Sequence, residues 1–239
     1  MNIKNVYPSV KKVILWDLDR TVINSDHRVL PCYTENGDLD LLKYSREACT
    51  HDKIMNDSLL PLVEYMRHSL NQPDTVNIIV TARLMRKSDY VFLRKQGLRG
   101  RGKTNVMVLS RDTLHKHFNH ADVSSIYFSS DSKYKTKYFE LVSRMYPNAE
   151  FTMYDDHKGV LEAAAKFGFK TMDAVALNDV LSIGIRLATE SFIEETMNDD
   201  NDFEYLKQRL EFCWQGMTQE EREQYSVNPN STMLKLLAS

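Results

Sequence analysis

KVILWDLDRTV, residues 12–22, joins an apolar run to two closely spaced aspartates. Val13 to Trp16 is short and made of branched or aromatic residues, as is typical of a buried strand in a parallel sheet. Asp17 and Asp19 follow directly, and side chains two residues apart on a strand leave it on the same side. Ligands of open α/β sheets bind at this carboxyl edge. The stretch predicts a ligand site, although an Asp-rich turn explains these residues equally well when they are taken alone.

Five further apolar runs alternate with stretches of helical spacing. We expect helices within Leu84 to Lys95, Thr136 to Met145 and Gly159 to Phe167, and one more that Asp57 caps. Alternation of this kind is typical of a doubly wound α/β parallel sheet with right-handed crossovers, which is the predicted fold class. The additional predicted strands are Ile78 to Val80, Val106 to Leu109, Ile126 to Phe128, Phe151 to Tyr154 and Phe169 to Met172.

The composition is that of an ordinary globular protein. The chain has 239 residues, 42% of them hydrophobic and 27% charged, with a net charge of −2. A protein with this net charge has no overall positive potential that would attract nucleic acid, so only a local patch of basic residues could bind it. The three cysteines, Cys32, Cys49 and Cys213, lack metal-site spacing and indicate free thiols in a reducing compartment. Without a signal peptide or a run of ~20 apolar residues, we expect a cytoplasmic protein with no membrane partner.

A second acidic pair, Asp155-Asp156, follows the apolar run that ends at Tyr154. Two acidic pairs at strand ends outline a site for a hard cation. Mg²⁺ binds few carboxylates and keeps waters and substrate oxygens in its other positions. The alternative is an N-cap for the next helix, which the presence of the first pair makes less attractive.

The third motif, Thr81-Ala82-Arg83, follows the predicted strand that ends at Val80. A hydroxyl, a small residue and a helix start suit an anion, because the first N–H groups of a helix are unpaired. Arg83 adds a bidentate donor for phosphate oxygens. Taken alone, a Thr-capped helix is the better interpretation.

The fourth motif is the lysine cluster of Lys133, Lys135 and Lys137. Such clusters are usually solvated. A functional lysine here would neutralise a nucleophile and a transferring phosphoryl group.

Together, Asp-x-Asp-x-Thr, Thr-x-Arg, Lys and Asp-Asp resemble the four motifs of the haloacid dehalogenase (HAD) superfamily, over about Lys12 to Ala176. The resemblance implies a Rossmann-like core and an aspartyl-phosphate formed on Asp17. It implies that Asp19 acts first as acid and then as base, so we expect its neighbours to raise its pKa toward neutrality. The implied phosphate-binding residues are Thr81, Ala82, Arg83 and Lys135. The implied Mg²⁺ ligands are the carboxylates of Asp17, Asp155 and Asp156 and the carbonyl of Asp19.

Lys135 is the preferred lysine, because its Asp-x-x-Tyr-Lys setting resembles that of polynucleotide 3′-phosphatases. Lys137 is the reserve candidate and Lys133 the third. Arg20 stands where most HAD members carry Gly. We treat Arg20 and Arg28 as possible substrate contacts, although a surface salt bridge explains Arg20 as well.

We expect a HAD-like core over residues 1–180, with a small cap insertion at about 25–56. Residues 181–239 are expected to form a helical C-terminal extension packed on the core. A small cap leaves an open site that is compatible with nucleotides or with a polymer end. We favour a magnesium-dependent (deoxy)nucleoside 5′-monophosphate phosphatase with a small phosphomonoester as its partner, since the chain also resembles small-capped nucleotidases. One alternative is a polynucleotide 3′-phosphatase, in which the basic stretch 94–103 follows the nucleic-acid 3′ end. The other is a catalytically silent HAD-like binding module.

Overall fold

A computed structural model describes Tyr7, residues 9–36, 39–99 and 106–183, together with Ile185 and Gln219. The strands are β1 Lys12–Trp16, β2 Ile23–Asn24, β3 Ser58–Leu59, β4 Thr75–Val80, β5 Val106–Leu109, β6 Glu150–Asp155 and β7 Lys170–Asp173. The α-helices are α1 Asp26–Val29, α2 Leu41–Lys43, α3 His51–Met55, α4 Val63–Leu70, α5 Lys87–Lys95, α6 His120–Tyr127, α7 Asp131–Met145 and α8 Lys158–Lys166. Leu30–Cys32 and Arg111–Lys116 are 3₁₀ turns, and Tyr44–Ala48 is a π-helical turn.

Five of the strands form one parallel sheet in the order β5-β4-β1-β6-β7. β1 is central, so that Trp16 lies opposite Ile79 of β4 on one side and Tyr154 of β6 on the other. The strand order reverses at β1, and in open α/β sheets the ligand crevice lies at such a reversal, beyond the carboxyl ends of the strands. The predicted α/β Rossmann-like fold is therefore confirmed, and Asp17 follows the strand at the reversal.

Both faces of the sheet are covered, as the near-continuous apolar sequence of β1 predicts. Val13 and Leu15 belong to a core that includes side chains of α7 and α8. Trp16 belongs to the core on the other face, with side chains of α4 and α5. Its ring stacks on Tyr154 at 4.3 Å, and its Nε1 donates to Asn77 at 2.8 Å. β1 is therefore fixed from both sides, and with it the position of the residues that follow.

One predicted strand is wrong. Ile126 and Tyr127 form the end of α6 and Phe128 is the residue that caps it; Ile126 is buried and Phe128 is 76% exposed. A three-residue apolar run fits a helix turn as well as a strand, and periodicity alone does not separate the two. The remaining predicted strands are present, and Gly168, at φ +77°, follows the end of α8 in the left-handed conformation that Gly favours.

A small helical cap lies between β2 and β3, which pair antiparallel at its base. It contains α1, α2, α3 and the π-helical turn. Cys32, Tyr44 and Ala48 form its own buried cluster, against which Leu84 packs. This cluster is small, so the position of the cap depends also on polar contacts with the core.

The predicted helical extension at 181–239 lies outside the described residues, apart from residues 181–183, Ile185 and Gln219, which are helical. Within the described part of the chain, no helix is long and apolar enough to cross a membrane.

Arg20 is the one non-glycine residue with a positive φ, +55°, among those that the structure describes. Only Gly adopts this conformation without a steric penalty. Arg20 Nε donates to Asp26 at 2.9 Å, but both side chains are more than one-third exposed. Such exposed pairs contribute little. The backbone conformation therefore explains why Gly suits this position, and the ion pair offsets only part of the strain.

We predict that Arg20→Gly raises the free energy of unfolding by about 1 kcal/mol relative to Arg20→Ala. Both substitutions remove the ion pair with Asp26, so their difference isolates the backbone strain. Urea denaturation of the two variants measures it. Equal stability would contradict the strained conformation.

Candidate active site

Three buried side chains meet at the carboxyl edge of the sheet. Asp17 follows β1, Asp155 ends β6, and Lys135 lies in the first turns of α7. Lys135 Nζ donates to Asp17 Oδ1 at 2.6 Å and to Asp155 Oδ2 at 2.7 Å. The other oxygen of Asp155 accepts the backbone N–H of His157 at 2.9 Å. Two carboxylates from neighbouring strands are thus held together by one ammonium group.

The structure brings Lys135, and neither of the other two lysines, to this cluster. Lys137 pairs with Glu140 at 3.1 Å on the same helix, and Lys133 is exposed. On a helix, residues two apart point in different directions. Because the Lys135 side chain points toward the strand ends, those of Lys133 and Lys137 point away from them.

The cluster carries more negative than positive charge. Burial raises the pKa of Asp17 well above its usual value, with Lys135 opposing the shift and Asp155 and Asp156 adding to it. Burial alone would lower the pKa of Lys135, but Asp155 and Asp17 more than offset this and raise it. Desolvation and then the charge of Asp155 raise the pKa of Asp156 to about 6. One ammonium group therefore does not neutralise these acids.

This charge excess and the oxygen donors fit a hard cation such as Mg²⁺. Among the described residues, no three acidic, His or Cys side chains converge as a preformed cage. The Lys135 ammonium lies between Asp17 and Asp155. The case for a cation at this site therefore rests on two features: the donor atoms are carboxylate oxygens, and Lys135 does not neutralise all of their charge.

Asp19 lies beside this cluster, and its one-third-exposed side chain pairs with a buried arginine. Its carboxylate accepts hydrogen bonds from Arg83 Nε at 3.0 Å and from Arg83 Nη2 and Ser25 Oγ. Burial by itself would raise the pKa of Asp19, but the charge and hydrogen bonds of Arg83 outweigh it and lower the pKa to about 2. The expectation of a pKa raised toward neutrality is therefore wrong for the free protein. Arg83 is 64 residues from Asp19, so the sequence alone does not identify it as the partner of Asp19.

The Thr81-Ala82-Arg83 segment follows β4 and lines the same cleft. Thr81 N–H donates to Leu109 O at 3.0 Å, and Thr81 Oγ1 accepts the backbone N–H of Arg83 at 3.2 Å. The Arg83 side chain, predicted to bind phosphate, is engaged by carboxylates of the protein. Thr81 and Ala82 are therefore the members of this segment that remain available at the cleft.

Arg28 requires a correction. It does not line the cleft: its side chain is fully buried, and Nε and Nη2 donate to the two oxygens of Asp57 at 2.7 and 2.8 Å. Its role is to pair with Asp57 rather than to contact a substrate. Asp57 is likewise not a helix cap, since α4 begins at Val63 and the Asp57 carboxylate accepts from Arg28 and Arg83. Nothing local in the sequence reveals these pairs.

The acids open into a cleft of about 900 Å³. Arg20 lines it, as do Arg111 and Phe128. No motif marks Arg111, and Phe128 lies in the run that was expected to be a strand. Arg111 lies over the Tyr134 ring at 4.5 Å and donates to Asp131 at 2.6 Å. It also donates to the carbonyl of Tyr127 and, at 3.2 Å, to that of Ser129, the two residues that flank Phe128. The apolar and aromatic part of the lining includes Val29, Tyr33, Leu39, Leu42, Tyr127 and Phe128.

An acid cluster and a buried lysine at the switch point of a Rossmann-like sheet suit the hydrolysis of a phosphate monoester. Over residues 1–239 the chain matches the family described as Bacteriophage T5 5'-deoxynucleotidase. It is also 59% identical over 235 residues to a 5'-deoxynucleotidase of Escherichia phage T5, across 98% of this chain and 96% of that protein. The chain belongs to the bacteriophage T5 5'-deoxynucleotidase family. No solved structure matches it.

Family membership confirms the predicted enzyme class, a phosphoric monoester hydrolase, and sets aside the catalytically silent module. One cleft is lined by the four predicted acids, Asp17, Asp19, Asp155 and Asp156, together with Thr81 and Lys135. The sequence placed these residues at strand ends and near a helix start, which predicted that they would lie together.

We predict that Asp156→Asn stabilises the metal-free protein at pH 7.5. The pKa of Asp156 is raised to about 6, so its ionisation destabilises the folded state. This destabilisation is fully present well above pH 6 and is lost as pH falls through the ordinary value near 4, and the shift corresponds to about 3 kcal/mol at pH 7.5. Thermal unfolding in EDTA at pH 7.5 and pH 4.5 measures the difference.

Asp155→Asn is the matched control. It breaks a contact with Lys135 and is expected to destabilise the protein. A lower melting temperature for Asp156→Asn at pH 7.5, or a gain that is unchanged at pH 4.5, would contradict the charge excess.

Proposed function

We propose that this enzyme hydrolyses deoxynucleoside 5′-monophosphates by the HAD mechanism, with Asp17 as nucleophile and Mg²⁺ as cofactor. The observation that carries the proposal is the Asp17 carboxylate, buried at the switch point of the sheet and paired with Lys135 in an open cleft. The family to which the chain belongs supports the class of substrate.

Asp17 attacks the phosphorus, and the bond to the 5′-oxygen breaks as an aspartyl-phosphate forms. Unaided hydrolysis of phosphate monoesters is so slow that enhancements of up to ~10²¹ are known for such enzymes. The main obstacle is repulsion between a dianion and an anionic nucleophile. Lys135, 2.6 Å from Asp17, offsets that repulsion. The Thr81 hydroxyl and the backbone at Ala82 orient the phosphoryl oxygens.

Asp19 handles the protons of both steps. It donates a proton to the departing 5′-oxygen, and then accepts one from the water that hydrolyses the aspartyl-phosphate and releases phosphate. The free protein holds Asp19 ionised, which is the form that the second step uses. A phosphate dianion beside it favours the protonated form that the first step needs.

The carboxylates of Asp17, Asp155 and Asp156 and the carbonyl of Asp19 would hold Mg²⁺, which would supply positive charge for the transferring phosphoryl group. The unneutralised acids of the cluster support this assignment. Asp155 is fully buried and oriented by the N–H of His157, so its position is fixed before the ion binds.

The cleft supports a small-molecule substrate. Its volume of about 900 Å³ lies within the range of ligand sites, and its apolar rings suit a base. The polynucleotide alternative gains no support from the described residues. Arg99 lies over the Tyr90 ring at 4.8 Å, and residues 100–103 of the basic stretch lie outside the described residues. A cytoplasmic location, which the cysteine usage favours, is part of this proposal.

We predict that Asp17→Asn abolishes phosphate release from deoxynucleoside 5′-monophosphates while the fold remains intact. The amide keeps the shape of the side chain but is not a nucleophile. Release of inorganic phosphate and a thermal melt measure the two effects. Near-normal turnover by the folded variant would overturn the assignment of Asp17.

We also predict a distinct order of substrates in the presence of Mg²⁺. Deoxynucleoside 5′-monophosphates should be hydrolysed fastest, ahead of ribonucleoside 5′-monophosphates, 3′-mononucleotides and sugar phosphates. EDTA should remove the activity, and added Mg²⁺ should restore it. Poor hydrolysis of mononucleotides with rapid, salt-sensitive hydrolysis of 3′-phosphorylated oligonucleotides would establish the polynucleotide alternative instead.

A further inference from the structure

A buried ionic network lies behind Asp19, on the side away from Lys135. Its centre is Arg83, which is 4% exposed and is shared by three carboxylates. Besides its two contacts with Asp19, Arg83 Nη1 donates to Asp89 at 2.9 Å and to Asp57 at 3.3 Å. Asp89 is fixed in turn by the backbone N–H of Arg86 at 2.7 Å. The guanidinium therefore has no freedom to leave Asp19 unless its other partners move.

Asp57 connects this network to the cap. Its side chain is fully buried, and both of its oxygens accept from Arg28 of α1. Arg28 also donates to the carbonyl of Ala48 in the π-helical turn at 3.2 Å. A continuous set of ionic contacts thus runs from the cap through Asp57 and Arg83 to Asp19.

Stability alone does not account for this network. Two guanidinium groups and three carboxylates in a buried region contribute little compared with apolar packing of the same volume. Of the five, Arg83 and Asp19 line the cleft, while Arg28 and Asp57 do not. Asp57 does not line the cleft itself, and its contact with a side chain that does is the one with Arg83.

We propose that Asp57 is a positioning residue, which holds Arg83 against Asp19 so that the Asp19 carboxyl group faces the leaving oxygen. The inference rests on the proposed function, in which Asp19 is the general acid. Arg28 belongs to the cap and pairs with Asp57, so the same contacts couple the orientation of Asp19 to the position of the cap. Neither Asp57 nor Arg28 contacts the substrate.

A positioned general acid matters most for a poor leaving group. The 5′-alkoxide of a nucleoside needs a proton as it departs, whereas p-nitrophenolate leaves without one. Hydrolysis of the aspartyl-phosphate is common to both substrates, so the comparison must be confined to the first turnover. Rapid mixing with enzyme in excess measures release of deoxynucleoside and of p-nitrophenolate directly.

We expect Asp57→Asn to slow the first-turnover release of deoxynucleoside by about 10²-fold, the scale of a general acid's contribution. Release of p-nitrophenolate should change by less than about 5-fold, and the KM for both substrates should stay near the wild-type values. An equal fall for both leaving groups would overturn the inference. A rise in KM for both substrates would also overturn it, because Arg83 would then act on the phosphate itself.

Two controls separate positioning from general damage. Asp40→Asn removes a carboxylate that accepts from the backbone of Leu42 and Lys43 in the cap, without touching Arg83. It should affect both leaving groups alike. In an Asp19→Asn background, Asp57→Asn should cause no further loss, since the two residues act as one unit. Additive losses would contradict the coupling.

If Asp57→Asn does not fold, Arg28→Lys carries the same comparison, because lysine keeps the charge but holds one oxygen of Asp57 instead of two. The same selective loss, smaller in size, is expected, and an unselective loss counts against the inference. A wild-type enzyme that releases neither product would refute the proposed function instead. An active wild type whose leaving-group ratio survives both substitutions would refute only the role of Asp57.

Discussion

The Lys135 ammonium between Asp17 and Asp155 is the interaction on which the site depends. Two carboxylates at the ends of neighbouring parallel strands repel each other, and burial strengthens the repulsion. The sheet places them together because β1 and β6 are adjacent at the switch point. Helix α7 must then bring a cation to that point. The orientation of this helix is fixed by Tyr138 and Phe139, which lie in the core on the same face as Val13 and Leu15.

The site is built at the expense of local stability. Asp17 and Asp156 both have raised pKa values, which means that their charged forms are disfavoured in the metal-free fold. A protein selected for stability alone would not keep these charges, and active sites commonly show this conflict. The apolar packing of β1 on both faces supplies the rigidity that tolerates it. Trp16, held by Tyr154 and by its hydrogen bond to Asn77, is the residue directly before Asp17.

The parts of the site that could be predicted from the sequence are those fixed by local pattern. Asp17 and Asp155 each follow or end an apolar strand, so the alternation of strands and helices places them at one edge. The choice of Lys135 came from a resemblance, because spacing alone does not rank three lysines on one helix. Residues 126–128 were predicted to be a strand but lie at the end of α6, because a three-residue apolar run is too short to show a strand or helix period. Phe128 was therefore missed as part of the cleft.

Long-range ion pairs account for the other differences. Arg28 and Asp57 are 29 residues apart, and Arg83 and Asp19 are 64 apart. No propensity or motif specifies such pairs, because the partner of each charged side chain lies far away in the sequence. The pKa of Asp19 was misjudged for the same reason, since its environment is set by a guanidinium whose position only the fold reveals. In an acid–base site, the groups that react follow from motifs, while the groups that orient and tune them follow from tertiary structure.

The cap and the core are joined both by apolar packing, since Ile54 of α3 belongs to the same buried cluster as Phe92 and Leu93 of α5, and by buried ion pairs. The cap's own buried cluster is limited to Cys32, Tyr44 and Ala48. Hydrophobic contact is non-directional and tolerates small shifts, whereas the bidentate pair of Arg28 with Asp57 fixes both distance and angle. A small cap that is seated by such a pair keeps a defined position over the cleft without a large interface. The same carboxylate reaches Arg83, so a shift of the cap and a shift of Asp19 cannot be independent.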